Sequence, residues 1–111
     1  MTALAACESL GHAVALLGHA QSRCGAALTG FEVMSAFSLQ LVGKHFPQIP
    51  NPFPAAPWSI LLELVAGDDA QAQAALESVL GLALEQGLID DAVVAESLAQ
   101  SQALWHLRES I

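Results

Sequence analysis

Apolar side chains along this chain recur with two different periods, which predicts helices and strands in succession. A short apolar run at residues 3–7 indicates a first strand, which has the weakest pattern of the strands in the sequence. Ser9 then stands where a helix N-cap is expected, and Gly25 follows where glycine commonly ends a helix. Between them the apolar positions have helical spacing, and those predicted to face the core are Leu10, Ala13, Val14, Leu17 and Ala20.

The segment 28–35 changes to strict alternation, which is typical of a strand with one face in the core. The alternation places Phe31 and Val33 on the core face and Glu32 and Met34 on the other. Helical spacing returns directly after it, over residues 36–46.

All five prolines of the chain fall within residues 47–57. Proline removes a backbone donor and fixes φ, so this density excludes a helix or a strand. We expect a long exposed connection here.

The segment 58–65 gives the clearest strand pattern, with Leu61, Glu63 and Val65 on one face. The opposite, core-facing set is Trp58, Ile60, Leu62 and Leu64. A long helix follows, capped by Asp68 or Asp69 and ended by Gly87. A last strand around residues 92–95 and a final helix opened by Ser97 complete the chain.

This order predicts one α+β domain over residues 1–111 with a ferredoxin-like split βαβ arrangement. Two β-α-β units would form an antiparallel sheet with helices on one face, and the last helix would be an addition to that plan.

Composition and charge narrow the range of functions and partners that the chain can have. The net charge of −8 argues against nucleic acid and anionic membranes as partners, because both require basic surfaces. No apolar run reaches the roughly 18 residues of a membrane span, and the first residues lack the features of a secretory signal. We therefore expect a cytoplasmic protein, in which Cys7 and Cys24 are free and behave as small buried hydrophobes. Apolar residues make up 54% of the chain and charged residues 13%, which predicts surfaces that are covered by something outside this chain.

No nucleophile, phosphate-loop or metal-ligand motif is present, and His12 and His19 are too far apart to share a metal easily. Arg108 is the main candidate, since its guanidinium can bind a carboxylate through two hydrogen bonds. From the residues alone, a surface pair with Glu109 or Asp91, or favourable placement in the last helical turn, is the simpler role.

Three further residues are candidates for lining a site. Glu32 and Glu63 fall on strand faces opposite the core and would lie on one open surface if their strands pair; solvated positions on a half-exposed sheet are the alternative. Trp105 precedes Arg108 by three positions and shares its helical face, although a core anchor is the simpler role.

Four segments, in this order and spacing, resemble the C-terminal domain of FAD-linked oxidases, namely GFEVMSAFSLQLV, WSILLELVAG, DDAVVAES and ALWHLRESI. The FE-x-M strand combined with the LW-x-LRE helix is the more specific part of the resemblance, which runs from about Ala3 to Ile111. The similar enzymes are glycolate oxidase large subunits, D-lactate dehydrogenases and D-2-hydroxyglutarate dehydrogenases.

The resemblance implies a parent enzyme that binds FAD mainly through a separate N-terminal domain, with this domain as the cap over the flavin. Arg108 would bind the carboxylate of the 2-hydroxy-acid substrate. The remaining groups, including a lysine and a histidine/glutamate set for a divalent metal, would lie beyond Ile111. We therefore expect a fragment without catalytic residues or bound cofactor of its own, inactive alone and self-associating, from a parent that is either cytoplasmic or membrane-associated. The alternatives are a free-standing ferredoxin-like module for small-molecule binding or dimerisation, and a structural subunit of a larger complex.

Overall fold

A computed structural model describes all residues, Met1–Ile111, as four strands and four α-helices. In chain order they are β1 (Thr2–Cys7), α1 (Leu10–Cys24), β2 (Leu28–Ser35), α2 (Ala36–His45), β3 (Trp58–Leu64), α3 (Asp69–Glu85), β4 (Asp91–Val94) and α4 (Leu98–Glu109), with one 3-10 turn at Gly25–Ala27.

The four strands form one antiparallel sheet in the order β2-β3-β1-β4. Two crossover helices, α1 after β1 and α3 after β3, join strands that are not neighbours. This is the ferredoxin-like split βαβ arrangement, so the predicted fold class is confirmed.

Helix ends follow the capping chemistry of the sequence. The side chains of Ser9, Asp68 and Ser97 each accept a hydrogen bond from a backbone N–H in the first turn of the helix that follows. Gly25 and Gly87 adopt positive φ values of 53° and 75° after α1 and α3, a conformation that favours glycine.

The larger core cluster lies between the sheet and the crossover helices. It contains Ile60, Leu62 and Leu64 of β3, as the alternation predicts, together with apolar residues of α1 and α3. The predicted face of α1 is partly wrong. Leu16 is buried while Leu10 and Val14 are exposed, because apolar residues surround more than half of this helix and leave its orientation to packing.

A second cluster covers the opposite face of the sheet. Leu39 and Val42 of α2 and Leu104 and Leu107 of α4 pack there, and the sheet contributes Leu4, Met34 and Leu61. The predicted arrangement, with helices on one face of the sheet, therefore holds for α1 and α3 only, because α2 and α4 cover the other face. The expectation for β2 is wrong at two residues, since Met34 is 2% exposed and Val33 is 39% exposed, whereas Phe31 packs on the larger core cluster as predicted.

The connection at residues 47–57 has no helix or strand, in agreement with its prolines, and most of it is exposed. Ile49 and Phe53 nevertheless pack on the second cluster, so the connection is anchored to the sheet at two points.

Candidate functional site

A row of polar contacts runs between α4 and the sheet. Ser101, Trp105 and Arg108 are spaced by four and then three residues, so they share one side of the helix. They contact Thr2 of β1, Glu63 of β3 and Glu32 of β2 in turn. These strands are neighbours in the sheet, and α4 therefore crosses them with one polar contact on each. We call these three pairs the polar row.

Glu63 is the centre of the polar row. Its carboxylate accepts a hydrogen bond of 2.8 Å from the indole N–H of Trp105 and a longer one of 3.4 Å from the hydroxyl of Thr2. Thr2 is opposite Glu63 in the β1–β3 register, and its hydroxyl also bonds that of Ser101. The short bond from Trp105 is the main restraint on this half-buried carboxylate, because charge-assisted hydrogen bonds are the stronger ones, and the long contact with Thr2 adds little.

Gly30 provides the space for the Trp105 indole. Gly30 is opposite Glu63 in the β2–β3 register. A Cβ atom added at Gly30 would lie 3.2 Å from the Cβ of Glu63 and 3.4 Å from the nearest ring carbon of Trp105. The indole therefore rests on backbone that has no side chain in the way.

Arg108 ends the polar row. Its Nε lies 3.6 Å from a carboxylate oxygen of Glu32, and the two side chains are 38% and 42% exposed. Exposed pairs of this kind contribute about 0–1 kcal/mol, and Arg108 makes no side-chain hydrogen bond within the chain. The predicted pairing of Arg108 with Glu109 or Asp91 is wrong, because α4 directs Arg108 onto the sheet at Glu32. The guanidinium is thus held only weakly and can still bind a carboxylate ligand.

The four predicted residues come together on one face of the sheet. Glu32 and Glu63 share that face, as the alternation predicts, but the surface is not open, because α4 packs over it. Trp105 is half-buried and bonds Glu63. Sequence reasoning missed Thr2, Gly30 and Ser101. The spacing of Ser101 from Trp105 could have indicated it, whereas the other two depend on a strand register that only pairing reveals.

Cys7 and Cys24 are both free, as predicted. Cys7 is buried, and its thiol donates weak hydrogen bonds to the carbonyls of Ser9 and Leu88. Burial raises the pKa of the Cys7 thiol, and the nearby charge of Asp90 adds to the effect. A thiol with a raised pKa is a poor nucleophile, so Cys7 is a packing residue.

The surface pockets of the chain do not fit a dinucleotide. Their volumes range from about 160 to 380 Å³, and no lysine or arginine lines any of them. A pyrophosphate group requires cations or converging backbone N–H groups. No group of three or more His, Cys, Asp or Glu side chains is arranged to bind a metal ion. None of the helices has the length and hydropathy to cross a membrane.

Comparison with known proteins identifies relatives of the whole chain. Residues 1–111 match the family model described as FAD linked oxidases, C-terminal domain. The chain is similar to D-2-hydroxyglutarate dehydrogenase, mitochondrial, of Arabidopsis thaliana, with 32% identity over 98% of this chain and 20% of the relative. It is 33% identical to the probable enzyme of Oryza sativa subsp. indica, over 86% of this chain and 18% of the relative. The Rattus norvegicus enzyme is 37% identical over 82% and 17%. The chain thus spans about a fifth of the length of these relatives.

Proposed function

This chain belongs to the family of FAD-linked oxidase C-terminal domains, and from that premise we propose that it forms the substrate-facing cap of an FAD-dependent 2-hydroxy-acid dehydrogenase. The observation that carries the proposal is the environment of the Arg108 side chain. Arg108 is a half-buried cation at the end of the polar row, beside Glu32 but without a hydrogen bond of its own. Lysine and arginine together occur only three times in the chain, so a cation at this position is unusual for its composition.

Arg108 would bind the carboxylate that every 2-hydroxy acid carries. A guanidinium binds a carboxylate through two parallel hydrogen bonds, which defines both the position and the orientation of the bound acid. Such orientation lowers the activation barrier by arranging the reacting atoms before reaction. Glu32 would compete for the same cation, and its weak contact allows a substrate carboxylate to replace it.

The flavin, when bound, would accept the hydride from C2 of the substrate. No lysine or arginine lines the pockets of this chain, so we assign the phosphates of the flavin mainly to a separate flavin domain. A divalent metal, which the family resemblance also implies, would likewise require ligands from outside these residues. The chain then contributes binding and orientation of the acid and is inactive alone.

The substrate class is tested on the complete gene product that contains this chain. We expect a flavin absorbance spectrum that bleaches when a 2-hydroxy acid is added without an electron acceptor. D-2-hydroxyglutarate is the first candidate, since the relatives are named for it; D-lactate and glycolate are the comparison substrates. A product without flavin, or a flavin that none of the three acids bleaches, would refute the proposal.

A second candidate is self-association of the chain, either as a free-standing module or in a larger assembly. The supporting observation is that β2, the longest strand with eight residues, is at the edge of the sheet. An unprotected edge offers backbone groups to a second strand, and β2 contains neither lysine nor proline. We expect a dimer by analytical ultracentrifugation at micromolar concentration and a monomer for Val33→Lys. A wild-type chain that stays monomeric contradicts this candidate.

A further inference from the structure

We propose that Glu63 and Trp105 are positioning residues for Arg108, acting through the polar row; the kinetic part of this proposal rests on the function proposed above. Neither residue needs to contact a substrate in this account. Their contact sets where α4 lies on the sheet, and the position of α4 sets where the guanidinium lies.

The spacing along α4 supports this role. Trp105 is three residues before Arg108, so both side chains project from the same side of the helix within one turn. Leu104 and Leu107 on the adjoining side are buried in the second core cluster. Apolar contacts of that kind are non-directional, so they hold α4 on the sheet without specifying where its polar side chains lie. A directional contact is needed to select one position.

Two directional contacts join α4 to the sheet, and the Trp105–Glu63 hydrogen bond is the one nearer to Arg108, since Ser101, which bonds Thr2, lies seven residues before Arg108. At 2.8 Å the Trp105–Glu63 bond joins a fixed N–H of a rigid ring to a half-buried carboxylate on β3. The ring lies against Gly30, where an added Cβ atom would come within 3.2 Å of the Glu63 Cβ and 3.4 Å of the ring. By contrast, the 3.6 Å contact of Arg108 with Glu32 is too long and too exposed to fix the helix. Glu63 therefore fixes the position of Trp105, and the position of Trp105 on α4 in turn fixes that of Arg108.

Composition makes a direct measurement possible. The chain contains two tryptophans, Trp58 and Trp105, and two arginines, Arg23 and Arg108. A ¹H–¹⁵N spectrum of the 111-residue chain has two indole and two arginine Nε signals, and one of each pair belongs to the polar row. Trp58 and Arg23 are internal controls, because they lie outside it.

Glu63→Leu removes the acceptor. We expect the Trp105 indole signal to move upfield and the Arg108 Nε signal to shift or broaden, while both control signals stay in place. Glu63→Gln keeps an acceptor oxygen and should restore the Arg108 signal toward its wild-type position. If Glu63→Leu does not fold, Trp105→Phe removes the N–H and retains an aromatic ring. An Arg108 signal unchanged by the loss of the hydrogen bond overturns the proposal, since a purely structural role would lower stability and leave that signal alone.

Kinetics of the complete gene product separate this proposal from the proposed function. Displacing Arg108 should raise KM for the hydroxy acid roughly tenfold in Glu63→Leu. In an Arg108→Ala background the same change should add less than about twofold, because coupled residues are not additive. Full additivity overturns the positioning role. If Arg108→Ala itself has no kinetic effect, the proposed function fails, while the spectra still decide whether Glu63 orders Arg108.

Discussion

Cys7 shows at the scale of one residue how burial changes the chemistry of a side chain. The pKa of its thiol is raised above the ordinary value of 9.0, mainly by desolvation, and burial also raises the pKa of Cys24. Both thiols therefore lose their protons more readily in the unfolded chain than in the folded one. The stability that they contribute is complete below about pH 9 and is lost as the pH rises through the folded-state pKa values.

We predict that the free energy of unfolding in urea, measured with a reductant, falls more between pH 7 and pH 10 in the wild type than in the double variant Cys7→Ala, Cys24→Ala. The double variant is the control for every contribution to the pH dependence that does not come from the two thiols. Equal losses in the two proteins would show that the thiols are not responsible.

Arg108 and Gly30 show which single residues can be predicted from a sequence. Arg108 is conspicuous because cations are rare in the chain, and its chemistry is visible without a structure. The role of Gly30 depends on Glu63 lying opposite it and on the indole lying above it. Both relations join residues that are distant in the sequence, so no local pattern indicates them.

Two glycines inside regular elements, Gly81 in α3 and Gly30 in β2, differ in the space around them. Gly81 lies inside α3, and a Cβ added there would meet nothing within 4 Å. Gly81→Ala should raise the free energy of unfolding by about 0.5–1 kcal/mol, because alanine restricts the unfolded chain and favours the helix. Gly30→Ala should lower it by about 1–3 kcal/mol, because its methyl group would crowd Glu63 and Trp105. Urea denaturation of both variants checks the two signs, and a stabilised Gly30→Ala would contradict the packing described for the indole.

Leucines of α4 test which side of this helix faces the sheet. Leu107 is 1% exposed in the second core cluster and Leu98 is 74% exposed. Leu107→Ala should cost about 2–5 kcal/mol of unfolding free energy, and Leu98→Ala less than about 0.5 kcal/mol. Thermal or urea unfolding measures both. Similar costs at the two positions would mean that α4 is not packed as the structure shows.

The positions of the helices and strands were largely predictable from the sequence. The side of each element that faces the core was less predictable. Capping residues and alternation indicated the positions of the strands and helices, because both signals are local. The orientation of α1 was wrong, since its apolar residues do not select one side. The burial of Met34 was also missed, because it depends on α2 and α4 returning to the far side of the sheet.

For the whole molecule, the order of elements was sufficient to predict the ferredoxin-like sheet. Only a few topologies satisfy two crossover units with antiparallel neighbours. The covering of both sheet faces was not predicted, because no pattern in α2 or α4 says which face each helix takes. The predicted cytoplasmic location and the self-association of the chain stay predictions.

The central claim is that Arg108 binds the carboxylate of a 2-hydroxy acid. Its most direct test is the kcat/KM of Arg108→Ala in the complete gene product, with Arg23→Ala as the matched control. Arg23 is exposed in the last turn of α1, away from the polar row. Hydrogen bonds to charged groups contribute about 1.5–3 kcal/mol, so we predict a loss of roughly 10- to 100-fold for Arg108→Ala and none for Arg23→Ala. A kcat/KM for Arg108→Ala that equals the wild-type value would contradict the account.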